Sequence, residues 1–146
     1  MADIDLKSAD PLNNLFSMKK EELITYFKEL IKENKVEFFL YGKEGVFGIK
    51  KDFPGYNHLE LFWLTVTLNS QNKGIGTKLV NYAESYARNL NFRAIYLYTH
   101  PIHKKAIKFY KNLGYKKINE FPNYYSNGDK SLLLGKGLLK KQNEIT

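Results

Sequence analysis

Gln71-Asn72-Lys73-Gly74-Ile75-Gly76-Thr77-Lys78 stands at the junction between a run of strand-forming residues and a run with helical spacing. Glycines at a strand-to-helix turn let the backbone approach a ligand closely, and the first-turn N–H groups of the helix that follows lack internal partners. The loop therefore presents aligned donors to an anion, and a pyrophosphate fits that arrangement. Two familiar phosphate loops do not match it. The dinucleotide pattern G-x-G-x-x-G needs glycine where Leu79 stands, and the P-loop needs Gly-Lys followed by Ser or Thr, whereas Gly76 is followed by Thr77. A glycine-rich turn that holds no ligand is the plainer alternative.

Upstream of the junction, Leu59 to Leu68 is rich in aromatic and branched residues and reads as a long strand. Before it, Val36 to Tyr41 and Val46 to Ile49 flank Gly42-Lys43-Glu44-Gly45, a hairpin turn. Ser17 is placed to cap a helix from about Met18 to Glu33, with Leu23, Tyr26, Phe27, Leu30 and Ile31 on one apolar stripe. Downstream, Leu79, Ala83, Tyr86, Ala87 and Leu90 recur at helical spacing, and Arg93 to Tyr98 reads as a strand. A short helix from about Ile102 to Leu113 stops at Gly114, and Tyr115 to Phe121 and Ser131 to Leu134 are two more strands. The order is helix, three strands, helix, strand, helix, two strands, with room for one further strand near the N-terminus. It predicts a mixed α/β sheet with one crossover unit in its middle.

The chain has 146 residues, 43% hydrophobic and 26% charged, a length and composition suited to one domain over residues 1–146. It contains no cysteine, which excludes disulfides, thiolate metal sites and a cysteine nucleophile. The acidic start MADIDLKSADP lacks the basic and apolar regions of a signal peptide, and no window approaches eighteen apolar residues. A cytoplasmic protein with no membrane partner is the expectation. Residues 1–100 hold 13 basic and 12 acidic side chains, whereas residues 101–146 hold 10 against 3. That cationic third suits nucleic acid, acidic lipid or a polyphosphorylated small molecule alike. Against nucleic acid, Lys104, Lys105, Lys108 and Lys111 circle a short helix whose apolar face is already committed, as on a solvated helix.

A second constellation is His103-x-x-Ala106-x-x-Phe109-Tyr110-x-x-x-Gly114-Tyr115. Ala106, Phe109 and Leu113 mark a buried helix face, while Tyr110 is placed either in the core or with its phenol toward a cleft. The two constellations together resemble the GNAT superfamily of acetyl-CoA-dependent N-acetyltransferases. Gln71 to Gly76 is similar to the family's Q/R-x-x-G-x-G/A loop, and Glu60-Leu61-Phe62-Trp63-Leu64-Thr65-Val66 to the strand before it. Ala106 to Tyr115 is similar to the family's helix that ends in tyrosine, three residues, glycine and an aromatic. The resemblance covers about Leu59 to Leu138, and more weakly the N-terminal helix and hairpin. It implies a mixed, mostly antiparallel central sheet flanked by helices, of α/β or α+β class, in a single domain.

By that resemblance the pyrophosphate cradle falls on Asn72, Lys73, Gly74, Ile75, Gly76 and Thr77, with Lys73 and Lys78 near the phosphate charge. The pantetheine arm lies along Leu64, Thr65 and Val66 like an added strand, and that backbone polarises the thioester carbonyl. Tyr110 falls on the general acid beside the departing sulfur. An ordinary phenol has a pKa of about 10 against about 8.5 for a thiol, so full proton transfer is uphill by roughly 2 kcal/mol and a hydrogen bond to sulfur is the better description. A lysine amine, with a pKa of about 10.4, is almost wholly protonated near neutrality, so the acceptor needs a base or a water chain. Glu60 is the candidate base, or simply a charged residue at a strand's start; His100 and His103 compete with it on pKa. His103 stands where many family members have an asparagine that contacts the pantetheine arm, so a cofactor contact is its expected role.

Phe121-Pro122-Asn123-Tyr124-Tyr125 resembles the loop of protein N-terminal acetyltransferases in which paired tyrosines border the acceptor peptide, although an edge-strand aromatic pair accounts for Tyr124 and Tyr125 as well. The glutamate that bacterial ribosomal-protein acetyltransferases place before the tyrosine helix aligns with Tyr98. The expected function is acetyl transfer from acetyl-CoA, as co-substrate and without a metal, to a primary amine of a small molecule or a peptide, by direct attack in a ternary complex. A non-catalytic acyl-CoA-binding module and a basic nucleic-acid-binding domain are the alternatives. A homodimer is compatible with the sequence, and acceptor identity is not legible in it.

Overall fold

The computed structural model describes residues 20–33, 36–51 and 58–138. Its elements run α1 (Lys20–Lys32), β1 (Val36–Tyr41), β2 (Gly45–Lys50), β3 (His58–Val66), a 3-10 turn (Leu68–Ser70), α2 (Ile75–Asn89), β4 (Ala94–Thr99), α3 (Lys104–Asn112), β5 (Lys116–Phe121) and β6 (Ser131–Gly137). This is the element order expected from the periodicities. The expected cap Ser17 and the candidate N-terminal strand lie outside the described residues, as do the side chains of Leu23, Tyr26, Phe27 and Leu30. Ile31, the last member of that stripe, is exposed.

The strands form one six-stranded sheet in the order β1-β2-β3-β4-β6-β5. Every neighbouring pair is antiparallel except β3 and β4, which are parallel because α2 carries the chain from one to the other. The core lies between the sheet and α2 and α3. Phe47, Ile49, Leu59, Leu61, Ile95, Leu97 and Leu134 from four strands meet Leu79, Val80, Ala83 and Ala87 of α2 and Tyr110 of α3. Each fully buried large aliphatic side chain contributes about 1.5–3 kcal/mol.

Several boundaries move for physical reasons. Gly45, expected in the hairpin turn, opens β2 instead. Leu79 packs so closely there that a Cβ on Gly45 would sit 2.9 Å from its Cδ1. The run Leu59 to Leu68 leaves the sheet at Val66; Ser70 N–H closes the 3-10 turn onto the Thr67 carbonyl at 2.9 Å, and Leu68 is exposed. Leu90 is exposed rather than on the buried stripe, since Asn91, with φ of 64°, ends α2 in the left-handed region. α3 ends as expected at Gly114: Tyr115 N–H reaches the Tyr110 carbonyl and Gly114 N–H the Lys111 carbonyl, both at 3.0 Å, the paired bonds of a Schellman cap.

Candidate active site

Parallel pairing between β3 and β4 lasts for only three positions, His58 with Ala94, Leu59 with Ile95 and Glu60 with Tyr96. β3 continues to Val66 and β4 to Thr99, so beyond Glu60 the two strands run on without a ladder between them. A bulge marks the same place. Gly48 of β2 faces Trp63 while Ile49 faces Leu61, and the extra residue, Phe62, increases the local twist of β3. The resulting cleft has a volume of about 130 Å³ and is lined by residues 61–65, by Leu97, Tyr98 and Thr99, and by Ala106, Phe109 and Tyr110 of α3.

Backbone direction along β3 follows from two bonds. Thr67 N–H donates to the Glu44 carbonyl at 2.8 Å, toward the hairpin side. Gln71 Nε2 donates to the Val66 carbonyl at 3.0 Å from the other side. Strand alternation then turns the backbone groups of Leu64 and Val66 toward the cleft and those of Thr65 toward β2. Gln71, the first residue of the loop motif, thus occupies one strand carbonyl before the loop begins.

The loop itself delivers an uncapped helix end. Asn72 and Gly74 take φ of 62° and 78°, and Gly74 occupies the N-cap position with no side chain to offer. The first closing bond of α2 runs from Lys78 N–H to the Gly74 carbonyl at 3.1 Å, so the N–H groups of Ile75, Gly76 and Thr77 fall among the four that a helix cannot satisfy internally. The side chain of Ile75 is buried in the core, while Lys73 and Lys78 are exposed, Lys78 Nζ lying 5.9 Å from the Tyr41 ring. A Cβ on Gly76 would approach Phe109 Cζ to 3.2 Å and Val66 Cγ2 to 4.0 Å. That glycine therefore lets the helix end abut the cleft.

Tyr110 is buried, lines the cleft and packs its ring against those of Phe109 and Tyr115. Glu60 is buried beside the cleft rather than on its lining; Lys50 Nζ lies 3.8 Å from its Oε2. Its negative charge reaches Tyr98, whose hydroxyl is held above the usual phenol range by burial first and by Glu60 second. His103 is at the N-cap of α3, outside the cleft lining, with its N–H on the His100 carbonyl. His100 is buried and has both ring nitrogens engaged, Nδ1 by Ile102 N–H at 3.0 Å and Nε2 by Asp129 Oδ2 at 2.7 Å. The two tyrosines of the β5–β6 loop part company. Tyr124 is exposed and stacked on Tyr98 at 5.1 Å, whereas Tyr125 is buried against His100. The four lysines of α3 named above are exposed, as on a solvated helix face.

Two further features concern buried polar groups: the hydroxyl of Thr65, expected along the arm for its backbone, and Glu84, to which no local pattern points. Thr65 Oγ1 is buried with no hydrogen-bond partner among the described residues, and Thr65 lines the cleft. Glu84 of α2, 3% exposed, accepts hydrogen bonds from Tyr115 Oη at 3.0 Å and Lys136 Nζ at 2.9 Å, with Arg88 3.7 Å away. Burial and Glu84 push the Tyr115 hydroxyl far above the ordinary phenol range. A lone Glu at a helical position and a Lys four elements further on give no local sign of this network.

Among the described residues, no helix is long and apolar enough to cross a membrane. Residues 8–115 match the acetyltransferase (GNAT) family model. The Xenopus tropicalis protein named Probable N-acetyltransferase 14 is 31% identical over 98 residues, 66% of this chain and 47% of that protein; the chain thus spans about half the length of this curated relative. A GNAT-family crystal structure from Desulfovibrio desulfuricans superposes with a TM-score of 0.71 at 17% identity, covering 84% of each chain. A GNAT acetyltransferase from Elizabethkingia anophelis with acetyl-CoA bound gives 0.70 at 18% identity, covering 93% of this chain and 89% of that one. With the family model spanning most of its length and the splayed sheet beneath it, the chain belongs to the GNAT family of acetyltransferases.

Proposed function

We propose that the protein is an N-acetyltransferase that passes acetyl from acetyl-CoA to a primary amine, on a peptide or a small molecule, by direct attack of the nitrogen in a ternary complex. The observation that carries this reading is the early end of the β3–β4 ladder, which opens strand backbone at Leu64 and Val66 next to an uncapped helix end. The residues present fit the co-substrate on three counts: a strand edge for amide groups, donors at Ile75, Gly76 and Thr77 for a diphosphate, and a buried hydroxyl at Thr65 in need of a partner. Acetyl-CoA, when bound, supplies an activated acetyl thioester.

The protein's own part is positioning and charge. Backbone groups of Leu64 and Val66 orient the arm and face the carbonyl oxygen on which negative charge develops, a fixed dipole being worth more in a cleft than in water. Tyr110, on the α3 wall, donates a hydrogen bond to the departing sulfur. Glu60 receives the acceptor's proton through water, since it stands beside rather than in the cleft. His100 has no ring nitrogen to spare for that task. Lys73 and Lys78 sit in solvent and add only screened attraction for phosphate. His103 lies off the cleft lining, so any contact with the arm is made from the α3 end.

Calorimetric titration with acetyl-CoA, followed by thiol release with free amines, polyamines and peptides bearing a free N-terminus, tests the reading. Saturable binding with release that depends on one amine class is the expected result. Binding without release in any mixture would leave an acyl-CoA-binding module. Salt-sensitive binding to DNA with no response to acetyl-CoA would replace the proposal with the nucleic-acid reading.

A further inference from the structure

We infer that Asp129, anchored by the buried His100, is a positioning residue for the acceptor amine through the loop that carries Tyr124; the inference rests on the acetyltransferase reading above. Ile102 N–H donates to His100 Nδ1, so that nitrogen carries no proton and Nε2–H is the donor to Asp129 Oδ2. The same carboxylate oxygen accepts from Asn127 Nδ2 at 3.0 Å, and Asp129 N–H returns a bond to Asn127 Oδ1 at 3.0 Å. The Asp129 carbonyl then takes the N–H groups of both Tyr124 and Tyr125, each at 3.1 Å.

One residue thereby fixes the backbone beneath both tyrosines, in a loop whose Asn123 and Gly128 already hold left-handed φ of 52° and 90°. Tyr125 closes the inner side, its ring 5.2 Å from His100. Tyr124 is 45% exposed, so its stacking on Tyr98, 5.1 Å away and 17° from parallel, depends on where that backbone sits. Tyr98 lines the cleft. The chain of contacts therefore runs from a buried histidine at the end of β4, through a half-exposed aspartate, to the aromatic rim of the cleft. A partner as exposed as Asp129 adds little to global stability, yet it selects which face of Tyr124 an incoming amine meets. Because one oxygen serves both His100 and Asn127, an asparagine at 129 can accept the same two bonds, and an alanine cannot.

Asp129→Ala, Asp129→Asn and wild type are compared by amide hydrogen exchange, acetyl-CoA titration and thiol-release kinetics, with a free-N-terminus peptide and 1,4-diaminobutane as probe amines. Asp129→Ala is expected to speed exchange at Tyr124 and Tyr125 and to raise the acceptor KM about tenfold, with kcat and acetyl-CoA affinity within about twofold of wild type. Asp129→Asn restores both readouts to within about twofold. Unchanged exchange at the two tyrosines in Asp129→Ala, or an unchanged acceptor KM, overturns the inference while leaving the acetyltransferase reading in place. A loss of kcat and acetyl-CoA affinity in step with a lower Tm also overturns it, since that is the mark of a merely structural role. Wild type that fails to bind acetyl-CoA, or binds it and releases no thiol with either amine, overturns both.

Discussion

Thr65 on β3 and Glu84 on α2 are both buried polar residues in the same small protein, and they are treated in opposite ways. Glu84 is surrounded by donors from Tyr115 and Lys136, and Lys136 also caps the Leu113 carbonyl at the end of α3 with a 2.8 Å bond. Thr65 Oγ1 has no partner among the described residues, beside strands that have stopped pairing. A buried polar group without a bond costs about 1–3 kcal/mol, so folding alone gives no reason to keep one. The first region reads as a closed structural joint between α2, α3 and β6; the second leaves a hydroxyl without a partner among the described residues on the lining of the cleft.

The largest effect expected from this contrast is on the open side. Gly74→Glu should weaken acetyl-CoA binding on the order of a thousandfold, because a carboxylate beside a diphosphate costs several kcal/mol. A Cβ at Gly74 meets no protein atom within 4 Å, so the protein itself is not crowded, and the strain of its φ of 78° costs about 1–3 kcal/mol of stability. Calorimetry on the folded variant checks this, and an unchanged Kd would remove the loop from the site. Next, Tyr110→Phe keeps the buried ring and loses only the hydroxyl; thiol-release rates should fall about a hundredfold with acetyl-CoA affinity nearly intact. Equal rates would strip Tyr110 of its role at the sulfur.

The closed side should respond in stability and not in chemistry. Lys136→Met removes the strongest donor to Glu84 and should destabilise by about 2 kcal/mol, lowering Tm by about 6 °C, with acetyl-CoA affinity unchanged. Thr65→Val should do the reverse and by less: deleting a hydroxyl that has no partner ought to raise the Tm of the unliganded protein by about 3 °C. A drop in Tm for the valine variant would show that the hydroxyl is satisfied in solution and would blur the distinction between the two regions.

The sequence made one of these regions legible and hid the other. The open side is built from local signals: a bounded run of strand formers, two glycines, and a tyrosine four residues before a helix-ending glycine, each tied to backbone conformation over a few residues. The order of strands and helices followed from the same periodicities, while the boundaries at Gly45, Val66 and Leu90 did not. Those depend on how closely α2 packs on β2 and where the chain must leave the sheet. The Glu84 network joins residues 31 and 52 positions apart, and the His100–Asp129 bond spans 29. Such pairings exist only once the sheet order is set. The early end of the β3–β4 ladder is likewise a property of two strands together.

Backbone amide shifts during a titration with acetyl-CoA report separately on each N–H of the β3 edge and the α2 end. Leu64, Val66, Ile75, Gly76 and Thr77 are expected to move together and saturate at one dissociation constant, while Glu84 and its surroundings stay still. Shifts confined to the lysines of α3, with the β3 edge and the α2 end unmoved, would contradict this binding site.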